Sequence, residues 1–157
     1  MTPACPLTDR RTKPRQPLAL REVESMEDRQ KCYEVLLELR PNLTWTQFVC
    51  MNATAAARDE FRLVGLFDEE MCVAVMGYRI LYDFVHGKHV YVDDLVVTNR
   101  LRSKGIGANL LAYAERRARE LDCDGLRLCT GVENSNAISF YERNGWNGAS
   151  IAFKKTA

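Results

Sequence analysis

The sequence of 157 residues predicts a single α/β (α+β) domain, with a mixed central sheet and elements in the order β-α-α-β-β-β-α-β-α-β. Short apolar segments bounded by turn residues alternate with longer segments of helical periodicity, which is typical of mixed folds. Residues 90–121 read as a buried strand, a basic loop containing two glycines, and a long amphipathic helix. The remaining elements are organised around this stretch.

Capping sequences mark the first two helices. Ser25 and Thr44 each precede an apolar-periodic segment, with Asp or Gln three residues later, as in a capping box. Pro41 ends the first helix. Gly77 interrupts a strand, which predicts a bulge or close packing. The predicted strands are residues 18–23, 61–68, 72–82, 89–97 and 125–131, and a last strand around Trp146 and residues 151–153.

Residues 1–17 differ in composition from the rest of the chain. They contain four of the five prolines and four cationic side chains against one aspartate, which predicts a disordered, basic, Pro-rich leader before a domain of residues 18–157. The leader has no apolar core typical of a signal peptide. A net charge of +1 argues against a nucleic-acid-binding protein. No apolar run reaches membrane-spanning length, so we expect a cytoplasmic protein.

The six cysteines are scattered, and the sequence contains only two histidines. No Cys-x-x-Cys pair is present, so nothing in the spacing predicts a metal site. Several of the cysteines lie on apolar stripes, where free thiols pack as small hydrophobic groups. We therefore expect reduced cysteines and no bound metal.

The loop before the long helix predicts an anion site. Its sequence, Arg102-Ser103-Lys104-Gly105-Ile106-Gly107, places cations and glycines where a helix exposes unpaired amides. A P-loop would need Lys-Ser/Thr entering the helix, and here Lys104 precedes the glycine. A dinucleotide fingerprint would need a third glycine, and Leu110 stands there instead.

Two segments together resemble the GNAT (GCN5-related N-acetyltransferase) superfamily. Residues 102–107 match its R/Q-x-x-G-x-G/A pyrophosphate loop, and residues 134–146, NSNAISFYERNGW, resemble its N-x-x-A-x-x-F-Y-x-x-x-G-F/W block. The predicted element order is also the order of that family. The resemblance covers about residues 18–155 and is strongest to small stand-alone bacterial members. It implies the GNAT fold, in which a central strand splays away from its neighbour.

The resemblance implies acetyl-CoA as co-substrate. Backbone on the splayed strand would pair with the pantetheine arm, the loop amides would hold the pyrophosphate, and the asparagine of the second block would face the cofactor arm. The implied cofactor-binding residues are Leu95, Val96, Val97, Arg102, Ser103, Lys104, Gly105, Ile106, Gly107, Ala108, Asn134 and Tyr141. For Asn134, a simple N-cap is an alternative that is compatible with this role.

The implied activity is that of an acyltransferase: an N-acetyltransferase that moves an acetyl group directly to a primary amine of a small molecule or peptide, without an acyl-enzyme. Tyr141 matches the family tyrosine that protonates the sulfur of CoA. Asp93 matches an acidic residue that some members use as base. Asp94 lies next to it on a strand, so only one of the two should face the acceptor unless a bulge intervenes. A backbone amide near Val96 would stabilise the oxyanion.

Other functions stay open at this stage. A non-catalytic acyl-CoA sensor or regulatory module would bind the cofactor without turnover, and a nucleotide-binding module would use the same loop. The identity of the acceptor and the oligomeric state, a homodimer being common in the superfamily, also stay open.

Overall fold

The computed structural model describes residues 17–156. The predicted leader therefore falls almost entirely outside the described residues. The elements are β1 Ala19–Glu22, α1 Met26–Leu36, α2 Trp45–Asp59, β2 Arg62–Asp68, β3 Met71–Asp83, β4 Gly87–Val97, α3 Ile106–Glu120, β5 Gly125–Leu128 and α4 Ser135–Arg143, with a short 3-10 turn at Asn99–Leu101.

Both predicted capping sequences form. The Ser25 hydroxyl accepts a hydrogen bond from the Asp28 amide at 3.0 Å. Thr44 and Gln47 exchange bonds in a complete capping box. These contacts satisfy amides that have no acceptor within their own helix, so they fix where α1 and α2 begin.

The sheet has the strand order β1-β2-β3-β4-β5. Neighbours are antiparallel except β4 and β5, which are parallel, so the predicted mixed sheet is confirmed. β3 pairs with β4 along nearly its whole length, but β5 pairs with β4 only from His89 to Val92. Beyond Val92, no strand within residues 17–156 lies beside the edge of β4 that faced β5. This is the splay that the resemblance implied.

Helices cover both faces of the sheet. Side chains of α3 such as Leu110 and Ala114 pack with Val90 and Val92 of β4 on one face. On the other face, α1 and α2 pack on a second cluster that includes Val96. Within that cluster lies a buried thiol pair, Cys32 and Cys72, whose sulfur atoms are 3.6 Å apart.

The predicted irregularity at Gly77 is a bulge in the β3–β4 ladder. Gly77 pairs with Asp94 and Tyr78 pairs with Val92, which leaves Asp93 as an extra residue on β4. A Cβ on Gly77 would lie 2.6 Å from the Phe61 ring, so the glycine also permits close packing. The bulge and the close packing that were predicted at Gly77 are therefore both confirmed.

The predicted last strand is wrong for the residues that the structure describes. Residues 145–156 contain no strand, and Ile151 and Phe153 are exposed. Alternating apolar residues form a strand only when a neighbouring edge pairs with them and a face buries them, and here neither happens. No helix within residues 17–156 is long and apolar enough to span a membrane.

Candidate active site

The loop between β4 and α3 has the backbone geometry of an anion site. Gly105 is the N-cap of α3 with φ of 75°, and Ser103 also has a positive φ of 61°. Left-handed backbone suits glycine, and a Cβ on Gly105 would meet open space. The first amides of α3 have no acceptor within the helix, and exposed Arg102 and Lys104 stand before it. Amides, helix dipole and cations together favour a phosphate group.

The second glycine of the loop has a different role. A Cβ on Gly107 would lie 2.9 Å from Cζ of Phe140 and 3.6 Å from Cγ2 of Val97. Gly107 therefore lets the start of α3 approach both α4 and the end of β4. The two sequence blocks meet at this contact, although Gly107 and Phe140 are 33 positions apart in the chain.

The unpaired edge of β4 presents the peptide groups of Leu95 and Val97. The Thr98 amide donates to the Val73 carbonyl on β3 at 2.9 Å. Because successive strand residues direct their peptide groups to opposite edges, those of Val96 also point to β3. This differs from the expectation that Leu95, Val96 and Val97 all expose their backbone: the pleat allows only the first and third to do so.

Arg102 connects this edge to the loop after α1. Its Nε donates to the Val97 carbonyl at 2.9 Å, and its guanidinium lies 3.6 Å from Glu38. Glu38 also accepts from the Thr98 hydroxyl and the Asn99 amide, both at 2.7 Å. One carboxylate from the loop after α1 therefore holds the beginning of the anion loop.

A cavity of about 370 Å³ lies between α1, α2 and the sheet. Its apolar wall is formed by side chains of both helices, of the loop between them, and of β2 and the residue before it, namely Leu36, Leu43, Phe48, Met51, Phe61 and Leu63. Its polar wall contains Arg40, Arg79, Asp93 and Asp94.

The bulge places both aspartates on the cavity side of β4. Leu95 and Val97 pack against the α3 cluster, as Val92 does, so the side-chain alternation shifts by one between 92 and 95. Asp93 and Asp94 occupy the shifted positions and line the same cavity. We expected only one of them to face this side unless a bulge intervened. The bulge is present, and both aspartates therefore face the cavity.

Each aspartate has an arginine partner. Asp93 accepts from Arg79 Nε at 2.8 Å, and Asp94 accepts from Arg40 at 2.7 and 3.0 Å. Arg79 also contacts Asp59 at 2.9 Å. Burial raises the pKa of Asp93 above its ordinary value, although the bond from Arg79 acts in the opposite direction. A carboxyl group with a raised pKa is a stronger base once ionised.

Tyr141 and Asn134 lie on α4. The Tyr141 ring is half-buried beside Phe140 and Trp146, at centroid distances of 5.2 and 6.1 Å. Burial raises its pKa, so the phenol keeps its proton at neutral pH. Asn134 is the N-cap of α4 and accepts from the Ala137 amide at 3.1 Å. The α4 side chains lie outside the cavity that contains Asp93.

Residues 22–146 match the family model for the acetyltransferase (GNAT) family. The chain belongs to this family. The chain is similar to the uncharacterized N-acetyltransferase YhdJ of Bacillus subtilis strain 168, with 27% identity over 137 residues, which is 87% of this chain and 96% of the relative. The aminoalkylphosphonate N-acetyltransferase of Salmonella typhimurium LT2 is 34% identical over 64 residues, which is 41% of this chain and 42% of that one.

A solved structure of an aminoglycoside N-acetyltransferase, AAC(6')-Iy in complex with CoA, has the same fold. Its TM-score is 0.79 at 15% identity, with 92% of this chain and 99% of that chain covered. At this identity the likeness concerns the GNAT fold alone.

Sequence reasoning predicted a joint at Arg40 that could line a pocket and an arginine partner for Asp94, but it did not identify Arg40 and Arg79 as the partners of the two aspartates. Arg40 lies after α1 and Arg79 lies on β3, so each is far in sequence from the aspartate that it contacts. The one available signal was the cost of burying carboxylates in an apolar strand, which predicts that they have partners.

Proposed function

We propose that this GNAT chain is an N-acetyltransferase that transfers an acetyl group from acetyl-CoA to a primary amine of a small molecule or peptide. The observation that carries the proposal is the arrangement along β4: two carboxylates at its bulge line a cavity, and beyond Val92 its unpaired edge runs towards the anion loop. The CoA complex of a relative with the same fold and the aminoalkylphosphonate activity named for another relative support this proposal.

The chain offers groups suited to each part of acetyl-CoA. Leu95 and Val97 have peptide groups free to pair with the pantetheine amides. The amides from Ser103 to Ala108, with Arg102 and Lys104, suit the pyrophosphate. Arg102 would exchange its bond to the Val97 carbonyl for the phosphate, which would release that carbonyl for pairing. Asn134 caps α4 beside the cofactor arm.

Acetyl-CoA supplies the activated acetyl thioester. The amine nitrogen attacks the carbonyl carbon directly, its proton passes to Asp93 or to a water molecule held there, and the carbon–sulfur bond breaks. Tyr141 gives its phenolic proton to the departing sulfur. A free-edge amide next to Val96, at Leu95 or Val97, stabilises the developing oxyanion. No step uses a cysteine, and the reaction proceeds within one ternary complex.

The test is turnover of acetyl-CoA with a panel of amines: polyamines, arylalkylamines, aminoglycosides, amino acids, aminoalkylphosphonates and peptides. Release of the CoA thiol is measured together with the mass of the acetylated product. We expect acceptor-dependent turnover. Cofactor-induced thermal stabilisation with no turnover of any amine would overturn the proposal and indicate a binding module instead.

Two variants test the assigned roles. Tyr141→Phe should lower kcat at least tenfold while the dissociation constant of CoA changes less than threefold, because the ring is kept and only the proton donor is lost. Asp93→Asn should lower kcat and flatten its rise with pH. Tyr82→Phe, at an exposed site, is the matched control. An unchanged kcat in Tyr141→Phe would remove the tyrosine from the mechanism.

A further inference from the structure

The polar wall of the cavity contains two cations and two carboxylates in close pairs. Arg79 is held by two carboxylates, those of Asp93 and Asp59. Arg40 contacts Asp94 through the single oxygen Oδ1, and its side chain is 56% exposed. The Arg40–Asp94 pair is therefore the one that an entering molecule can separate.

The charges of this wall discriminate between acceptors. An amine without an acidic group would take Asp94 as its partner and leave the Arg40 guanidinium without an anionic one. Because Arg40 is 56% exposed, separating this pair costs little by itself, and the guanidinium is then available to an anionic group of the acceptor. A zwitterion replaces both partners, because its ammonium group contacts Asp94 and its anionic group contacts Arg40. Guanidinium groups also match the geometry of carboxylates.

The rest of the cavity adds a limit on size and polarity. A volume of about 370 Å³ lies near the lower end of ligand cavities, which span roughly 300–1,000 Å³. Phe48, Phe61 and Leu63 provide an apolar part of the lining, and the Phe61 ring lies 5.8 Å from the Arg79 guanidinium. The small volume and the apolar lining fit a small molecule with an apolar side chain better than a sugar or a polyamine chain.

We propose that the acceptor is a free apolar α-amino acid, recognised by Arg40 through its carboxylate and by Asp94 through its ammonium group. This rests on the proposed acetyltransferase function. In the bound state Arg40 turns from Asp94 to the substrate carboxylate, and the amine lies beside Asp93, which removes its proton. The apolar side chain lies against Phe48 and Phe61. A peptide N-terminus has no carboxylate next to its amine and is a poorer acceptor.

Matched acceptors test this without any variant. L-Phenylalanine and 2-phenylethylamine differ only in the carboxylate, as do L-leucine and 3-methylbutylamine. With acetyl-CoA saturating, we expect kcat/KM to be at least tenfold higher for each amino acid. L-Phenylalanine amide, which keeps the shape and loses the anion, should resemble the amine.

Arg40→Gln then assigns the anion contact. It should lower kcat/KM for the amino acids at least tenfold, mainly through KM, and change that for the two amines less than threefold. Arg40→Lys should recover part of the loss. Arg58→Gln, which removes a cation from an exposed position at the end of α2, is the control, and CoA affinity should be unchanged in all three.

Equal or better turnover of the decarboxylated amines, or equal losses for both classes in Arg40→Gln, would overturn this inference and leave the acetyltransferase function intact. Turnover confined to polyamines, aminoglycosides or peptides would do the same. The absence of turnover with every amine, despite CoA binding, would overturn the acetyltransferase function and this inference with it.

Discussion

Replacing Gly107 by alanine tests whether the contact between α3 and α4 positions the anion loop. The added Cβ would lie 2.9 Å from Cζ and 3.3 Å from Cε2 of Phe140, and 3.6 Å from Cγ2 of Val97. Overpacking of this kind costs about 1–3 kcal/mol, and the better helix propensity of alanine recovers up to about 1 kcal/mol. We expect the free energy of unfolding to fall by roughly 1–2 kcal/mol.

The assay is a double-mutant cycle in urea with Phe140→Leu as the second change. Leucine lacks the atoms that collide with the new methyl group, so the double variant should be more stable than the sum of the single effects, by a coupling of about 1 kcal/mol. Calorimetric titration should show weakened CoA binding in Gly107→Ala and recovery in the double variant.

Gly131→Ala is the matched control for this cycle, because a Cβ there meets nothing within 4 Å. It should leave stability and CoA affinity nearly unchanged. Additive free energies in the cycle, or CoA affinity in Gly107→Ala equal to that of the control, would refute the claim that this contact holds the loop in place.

Three further outcomes follow from single residues. Ser25→Ala removes the α1 N-cap and should cost about 1 kcal/mol of unfolding free energy in urea, whereas unchanged stability would contradict the cap. Because the folded state raises the pKa of Asp93, its neutral form favours folding at low pH, and that stability is lost as the pH rises through the folded pKa. The test compares the unfolding free energies of the wild type and Asp93→Asn as a function of pH. The difference, wild type minus variant, should fall as the pH rises above the ordinary aspartate pKa of about 3.9, and a rise would refute the raised pKa of Asp93. Thiol labelling mapped by mass spectrometry should modify exposed Cys50 and Cys129 rapidly and the buried thiol pair only on unfolding, and early labelling of the pair would show that this face opens.

The features that sequence predicted well are local in origin. The caps at Ser25 and Thr44 depend on side chains three residues apart, and the left-handed backbone at Gly105 depends on one residue. Each is decided by short-range sterics and hydrogen bonding, so a short pattern contains the required information. The order of the elements followed from apolar periodicity and turn residues, and the mixed sheet was implied by the GNAT resemblance.

The features that sequence missed depend on residues far apart in the chain. Arg40 and Asp94 are 54 positions apart, and no local pattern indicates that they meet. The predicted last strand failed for the same reason, because residues 151–153 have strand-like alternation but no described neighbour pairs with them. Pairing and burial are properties of the assembled sheet, and propensity alone does not determine them.

The bulge at Asp93 links the two halves of the site. Along a strand, successive side chains point to opposite faces of the sheet, and successive peptide groups point to opposite edges. The two alternations stay in step. If β4 kept this sequence but ran as a regular strand without the bulge, Asp94 would fall on the face that holds Val90 and Val92, among the apolar side chains of α3, where an ionised carboxylate is costly. The peptide groups of Leu95 and Val97 would then point to β3 instead of the free edge. The bulge thus brings a second carboxylate to the cavity and also selects which peptide groups lie at the unpaired edge. In the proposed reaction, the position of the amine and that of the thioester would therefore be set by the same irregularity of β4.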